Sequence, residues 1–188
     1  MKRIAVFASR EGTNTQHLID HFKGSDTEIA LVVCNNPNAN VLLRATNSGI
    51  PSLLTDKDGL YKNDTVLKKL QSLGADLIVC AGFLWKVPAT ILKAFPDKVV
   101  NVHPALLPNF GGKGMYGLHV HKAVIAAGEK ESGITLHYVN EQYDEGKIIL
   151  QKKCAVDKSD TPESLAQKVQ KLEHEWLPKT IETLLTKN

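Results

Sequence analysis

The chain has few cysteines, no long apolar run and no strong excess of charge, and each shortage removes a class of protein. Cys34, Cys80 and Cys154 are odd in number and far apart, and none forms a C-x-x-C pair. A disulfide framework is therefore not expected. Cys34 and Cys80 end apolar runs and read as buried free thiols. No stretch approaches the roughly 18 consecutive apolar residues of a membrane span. The first apolar run is about five residues and leads into a polar loop, so no secretory leader is expected and the cytoplasm is the expected compartment. Net charge is only +3, with Lys and Arg scattered, which argues against a nucleic-acid partner. What is present is an ordinary globular mix, 43% hydrophobic and 23% charged over 188 residues, enough for one domain, 1–188, with a substantial core.

Short apolar runs alternate with helical patterns. Residues 3–9, 28–35, 50–54, 75–82 and 98–103 read as strands. Between them, 15–24, 40–49, 60–73 and 88–95 carry apolar residues at helical spacing. Leu60, Val66, Leu67, Leu70 and Leu73 form the face of one longer helix, and Pro88 falls in the first turn of another. This rhythm predicts an α/β, doubly wound, mostly parallel sheet of about seven strands with helices on both faces. After a loop at 108–117 and a helix at 118–129, strands at 133–139 and 146–156 lie about seven residues apart. That is short enough for a hairpin, so the C-terminal half gains an antiparallel part. A last helix opens at Thr161 and Pro162, and Pro178 is expected to kink or divide it.

Polar clusters at 9–14, 82–86, 101–104 and 140–146 each follow a predicted strand. Ligands of open α/β sheets bind outside the carboxyl ends of the strands, so these clusters predict one site along one edge. In "SREGTN" (9–14), Gly12, Thr13 and Asn14 open a helix, whose N-terminus suits a phosphate. The pattern lacks a Walker lysine and is not G-x-G-x-x-G, and the same residues also suit an ordinary strand-to-helix turn. Asn101 and His103 share one side of their strand, and Pro104 ends its pairing. They form a neutral donor and a titratable donor on a rigid element, suited to an oxyanion. The other reading is a satisfied core histidine. Asp144 with Gly146 reads either as a tight turn or as a carboxylate that orients His103 or collects a proton. His119 and His121 invite a metal test alongside His103 and His137. A helix points i and i+2 apart, so no metal is expected. Glu173 and His174 read, on their own, as a solvated helix face.

Assembled, these residues resemble the phosphoribosylglycinamide (GAR) formyltransferases of the folate-dependent formyltransferase family. The resemblance rests on "ASREGTN", "LIVCAGFLWKVP" (77–88), "VVNVHPALLP" (99–108) and "GITLHYVNEQYDEGKIILQ" (133–151). Methionyl-tRNA formyltransferases share such motifs but carry an additional domain. The resemblance implies formyl transfer from 10-formyltetrahydrofolate to the amine of GAR in purine biosynthesis. It places catalysis on Asn101, His103 and Asp144, with Asp144 keeping the His103 imidazole charged. It places GAR on Gly12, Thr13, Asn14, Gly82, Pro104 and Glu173. Folate falls on Leu84, Trp85, Val87, Val139, Asn140, Glu141 and Asp144. The implied partners are small molecules only, with no nucleic acid or membrane, and the chain acts as a monomer or weak homodimer. Leu84-Trp85-Lys86 departs from the relatives' G-F-M-R pattern. Lys57 or Lys62 is the expected substitute for a cation at the folate tail. The 109–121 loop is longer than in many relatives, and its Lys113 is placed to hold an anion.

Overall fold

The predicted rhythm folds into a three-layer sandwich. A computed structural model describes residues 1–186. Its first half runs β1 (Lys2–Phe7), α1 (Thr13–Phe22), β2 (Thr27–Cys34), α2 (Asn40–Asn47), β3 (Ser52–Leu54), α3 (Lys57–Tyr61) and α4 (Thr65–Leu73). The rest is β4 (Leu77–Cys80), α5 (Ala89–Ala94), β5 (Val99–His103), α6 (Leu118–Ala126), β6 (Glu131–Tyr138), β7 (Ile148–Ala155) and α7 (Pro162–Thr186). The strands form one seven-stranded sheet in the order β3-β2-β1-β4-β5-β6-β7. β1 to β5 pair in parallel, and β6 pairs antiparallel with both β5 and β7. The chain winds outward from β1 to β3, then returns to β4 on the other side of β1. The switch point therefore lies between β1 and β4.

Strands buried on both faces need cover on both, and alternation divides their side chains between two cores. Ile4, Val6, Val79 and Val100 pack with Leu18 of α1 and with Leu165, Leu177 and Ile181 of α7. Ala5, Phe7, Ile78 and Val99 face Leu60, Leu70 and Ile91 of the opposite helical layer. Cys34 and Cys80 are buried free thiols, and burial pushes the Cys80 thiol up to about 12. Among the described residues no helix is long and apolar enough to cross a membrane.

Local chemistry overturns several sequence expectations. The single helix at 60–73 is two helices, broken where Asp64 adopts a left-handed φ of 51°. Leu60 then belongs to α3, which Asp56 caps by accepting from the Gly59 N–H at 2.7 Å. Pro88 stands just before α5 in an extended conformation rather than in its first turn. Pro178 does not divide α7, which continues to Thr186. Proline removes the bond to the carbonyl four residues back. Here Leu177, Pro178 and Ile181 are all buried, so packing against the sheet holds the helix across that gap.

The largest correction concerns the 140–146 cluster. β6 runs against β5, so its carboxyl end lies at the amino end of β5, where the Val139 N–H donates to the Val99 carbonyl at 2.8 Å. That is the opposite edge from the other three clusters. The hairpin loop then folds back over the sheet face to deliver Asp144 beside His103. Gly146 permits the return, because a Cβ there would overlap the Tyr138 carbonyl. Gly146→Ala is expected to destabilise the protein by about 3 kcal/mol, lowering Tm by roughly 6–12 °C in thermal melts.

Candidate active site

One row of the sheet carries the site. Phe7 pairs with Cys80, Cys80 with Asn101, and Asn101 with His137. Just beyond, the Ser9 hydroxyl accepts from the Leu84 N–H at 3.0 Å, and the Ser9 N–H donates to the Gly82 carbonyl at 3.2 Å. These bonds join the loops after β1 and β4 at the switch point. A cavity of about 700 Å³ opens there, and all four polar clusters contribute to its wall. Gly12, Thr13, Asn14, Gly82, Leu84, Asn101, His103, Pro104, Asp144 and Glu173 all line it.

Five of the residues assigned to folate do not line this cavity. Val87 is buried in the core, and Val139 packs against the same layer. Trp85 packs with Phe83 and Tyr61, at ring separations of 6.5 and 6.4 Å. Asn140 accepts from the Gln142 N–H at 2.9 Å within its own turn, and Glu141 is exposed. Lys57 and Lys62 sit outside the lining as well, and Lys62 pairs with Asp58 at 2.9 Å. Lys86 lies 5.7 Å from the centre of the ring of Tyr143, which lines the cavity.

At one end of the cavity stands the N-terminus of α1. No side chain caps this ten-residue helix. Gly12 enters it at φ 69°, and a Cβ there would overlap Val41. Arg10 lies over the Tyr116 ring at 5.4 Å, and both line the wall with Lys113. Arg10 therefore stands beside backbone N–H groups that already favour an anion, with Glu11 on the same wall. α7 closes this end. Gln170 donates to Thr13 at 3.2 Å, and the Asn14 amide donates to Glu173 at 2.9 Å. Glu173 is not part of a solvated face. Its residue surface is only half-buried, but the carboxyl is enclosed by protein, and that burial pushes its pKa up to about 7 against the Asn14 bond. His174 is stacked on His17 at 3.9 Å, and burial together with His17 pushes it down to about 4.

The other end is a linked group of four side chains. The Asn101 amide donates to His137 Nε2 at 3.1 Å. His137 Nδ1 donates to the Tyr138 carbonyl at 2.9 Å, which fixes the tautomer that accepts from Asn101. His103 Nε2 donates to the Phe110 carbonyl at 2.8 Å, leaving Nδ1 toward Asp144 at 3.5 Å. Asp144 also approaches His137 at 3.6 Å and accepts from the Gly112 N–H at 2.9 Å. Burial alone would raise the Asp144 pKa, but His137, His103 and the Gly112 N–H hold it below the ordinary carboxylate value. His103 moves the other way from expectation. Burial lowers its pKa and outweighs the raising effect of Asp144, which favours the neutral imidazole.

The register shows what sequence reading missed. His137 joins Asn101 to Asp144, yet nothing local marks it, because its place depends on the antiparallel pairing with β5. The β6–β7 register also shifts at Leu136/His137, a bulge of the kind that re-aims side chains. Arg10, Tyr116 and His121 reach the cavity from loops or a helix whose direction no periodicity gives.

Residues 2–181 match the formyl transferase family. The chain belongs to that family. It is 38% identical to a phosphoribosylglycinamide formyltransferase of Bacillus subtilis, covering 100% of this chain and 97% of that one. It is 40% identical to a chloroplastic phosphoribosylglycinamide formyltransferase of Arabidopsis thaliana, over 92% of this chain, and spans 62% of that longer relative. The crystal structure of phosphoribosylglycinamide formyltransferase from Anaplasma phagocytophilum superposes with a TM-score of 0.90 at 33% identity, covering 99% of this chain and 88% of that one.

In this formyl transferase family member, Glu173 carries a pH signature. The folded chain binds the Glu173 proton more tightly than the unfolded chain does. Stability is thus lost as pH rises from the ordinary 4.5 to about 7. Glu173→Gln is expected to remove that slope. The variant should match the parent near about pH 4 and exceed it by roughly 1–2 kcal/mol at about pH 8, a range reduced for partial solvent screening. Denaturant melts at the two pH values check the sign.

Proposed function

We propose that this chain, as a single domain over 1–188, transfers the formyl group of 10-formyltetrahydrofolate to the amine of glycinamide ribonucleotide in purine biosynthesis. The observation that carries the reading is one cavity with an uncapped helix N-terminus at one end and Asn101, His103 and Asp144 at the other, with His137 buried behind them. The names of the full-length relatives favour the same substrate.

The phosphate of GAR binds at Gly12, Thr13 and Asn14, and Glu173 stands near the glycinamide. Leu84 and Tyr143 line the cavity yet are 40% and 44% exposed, an apolar surface that fits a flat heteroaromatic ring. Folate supplies the formyl group there. Attack by the unprotonated amine places negative charge on the formyl oxygen. Asn101 uses one amide hydrogen on His137 and offers the other to that oxygen. The developing charge offsets the burial that keeps His103 neutral. An imidazolium then becomes favourable, with Asp144 as its counter-ion. The proton of the attacking amine passes through this pair to the leaving nitrogen.

Losing one oxyanion donor typically costs about 100- to 1000-fold in turnover. Asn101→Ala is expected to lower kcat by that factor while the protein still folds and binds GAR. Near-full kcat in this variant defeats the assignment. His137→Phe keeps the ring volume and removes its bond to Asn101. It is expected to lower kcat by about 10- to 100-fold with the KM for GAR little changed, as misplacement rather than lost binding requires. The primary assay mixes the protein with GAR and 10-formyltetrahydrofolate and follows folate absorbance, with a sugar-nucleotide amine as the competing acceptor. No turnover of GAR removes the proposal.

A further inference from the structure

His121 is 4% exposed, yet it contributes to the wall of the large cavity. Its Nδ1 is buried without a hydrogen-bond partner, and neither ring nitrogen makes a hydrogen bond or ion pair with any described residue. A buried polar atom left unpaired destabilises a fold, and native chains keep few of them. The flanking turn of α6 offers no structural reason for an imidazole, since Val120 and Val124 are buried and apolar. The Oδ1 of Asn14, on the cavity wall beside the α1 N-terminus, is a second buried atom without a partner. Two orphaned polar atoms on one cavity wall point to a ligand that satisfies them.

The chemistry of that ligand follows from the state of the ring. Burial lowers the His121 pKa and the nearby His103 lowers it further, so the neutral ring is favoured. A neutral imidazole offers one donor and one acceptor. It matches a hydroxyl or an unprotonated amine, whereas a phosphate would call for an imidazolium. The α1 end of the cavity already has Arg10 and the helix N-terminus for that purpose.

We infer that His121 is a substrate-binding residue whose imidazole hydrogen-bonds a sugar hydroxyl or the amine of the acceptor substrate, between the anion end and the transfer centre. This rests on the reading of the chain as a GAR formyltransferase. The test is His121→Phe, which keeps the ring volume and removes both polar atoms. The KM for GAR is expected to rise about tenfold, with kcat and the KM for the folate little changed and Tm equal or higher. A purely structural histidine would instead lower Tm and leave the KM for GAR within about twofold, and that result overturns the inference. Should H121F fail to fold, H121N is measured in its place, since its amide retains one donor and one acceptor. It is expected to keep the KM for GAR within about threefold, and a rise of tenfold or more counts against hydrogen bonding by the ring. An analogue of GAR without ribose hydroxyls separates the two sources. The H121F penalty disappears on it if a hydroxyl is the partner and persists if the amine is. Wild-type turnover with an unaltered KM in H121F sinks this inference alone, whereas absent wild-type turnover removes the functional reading with it.

Discussion

The reversal of strand direction between β5 and β6 is the constraint on which the Asn101, His103 and Asp144 end of the cavity depends. A parallel neighbour would need a crossover of a dozen or more residues. An antiparallel one sets His137 directly opposite Asn101. It also leaves the β6–β7 loop at the wrong end of the sheet, so that loop must travel back over the face. β5 rises about 3.3 Å per residue, and a few extended loop residues suffice to reach the level of His103. The Gly146 contact with Tyr138 and the bond from the Gly112 N–H to Asp144 fix where the return ends.

The face on which Asp144 lands is prepared by the chain that follows β5. The Thr135 hydroxyl donates to the Ala105 carbonyl at 2.7 Å and accepts from the Leu107 N–H at 3.0 Å. Gln151 of β7 donates to the Leu107 carbonyl at 2.8 Å. The segment after His103 is thus laid across β6 and β7, and it carries Phe110 to its bond with His103. The Thr135 hydroxyl is fully buried with donor and acceptor both used, and residues on such a rigid support keep their aim. Thr135 and Gln151 hold the segment whose Phe110 carbonyl orients the His103 ring.

How much of this was legible follows from what each signal depends on. Strands and helices are local, and alternating apolar runs such as 28–35 and 75–82 marked them well. The pairing of Asn101 with His103 on one side of a strand is also local. The role of His137 depends on register between strands some thirty residues apart, which no local pattern encodes. The return of the 139–147 loop depends on strand direction, and the rule that ligands sit at carboxyl ends fails for a strand that runs the other way. The path of α7 through Pro178 is set by its buried face, a tertiary effect that outweighs the lost backbone bond. The downward direction of the His103 pKa was not legible, because a neighbouring carboxylate is visible in a motif, whereas burial is not.

The two ends of the cavity differ in how charge is held. At one end the α1 N-terminus stands beside Arg10. At the other stands the Asp144 carboxylate, held below its ordinary pKa, beside the Asn101 amide and the His103 ring, whose pKa burial lowers. On the proposed formyl transfer, a permanently charged imidazole would hold the uncharged formyl oxygen and the oxyanion with less contrast. An imidazole whose pKa burial lowers would respond to charge that appears only as the new bond forms, concentrating its stabilisation on the transition state. Asp144 would limit the cost of that response, because the counter-ion is in place before the proton arrives. The low exposure that depresses the His103 pKa is therefore compatible with the proposed reaction, and the fold that buries His103 also places a carboxylate 3.5 Å from it.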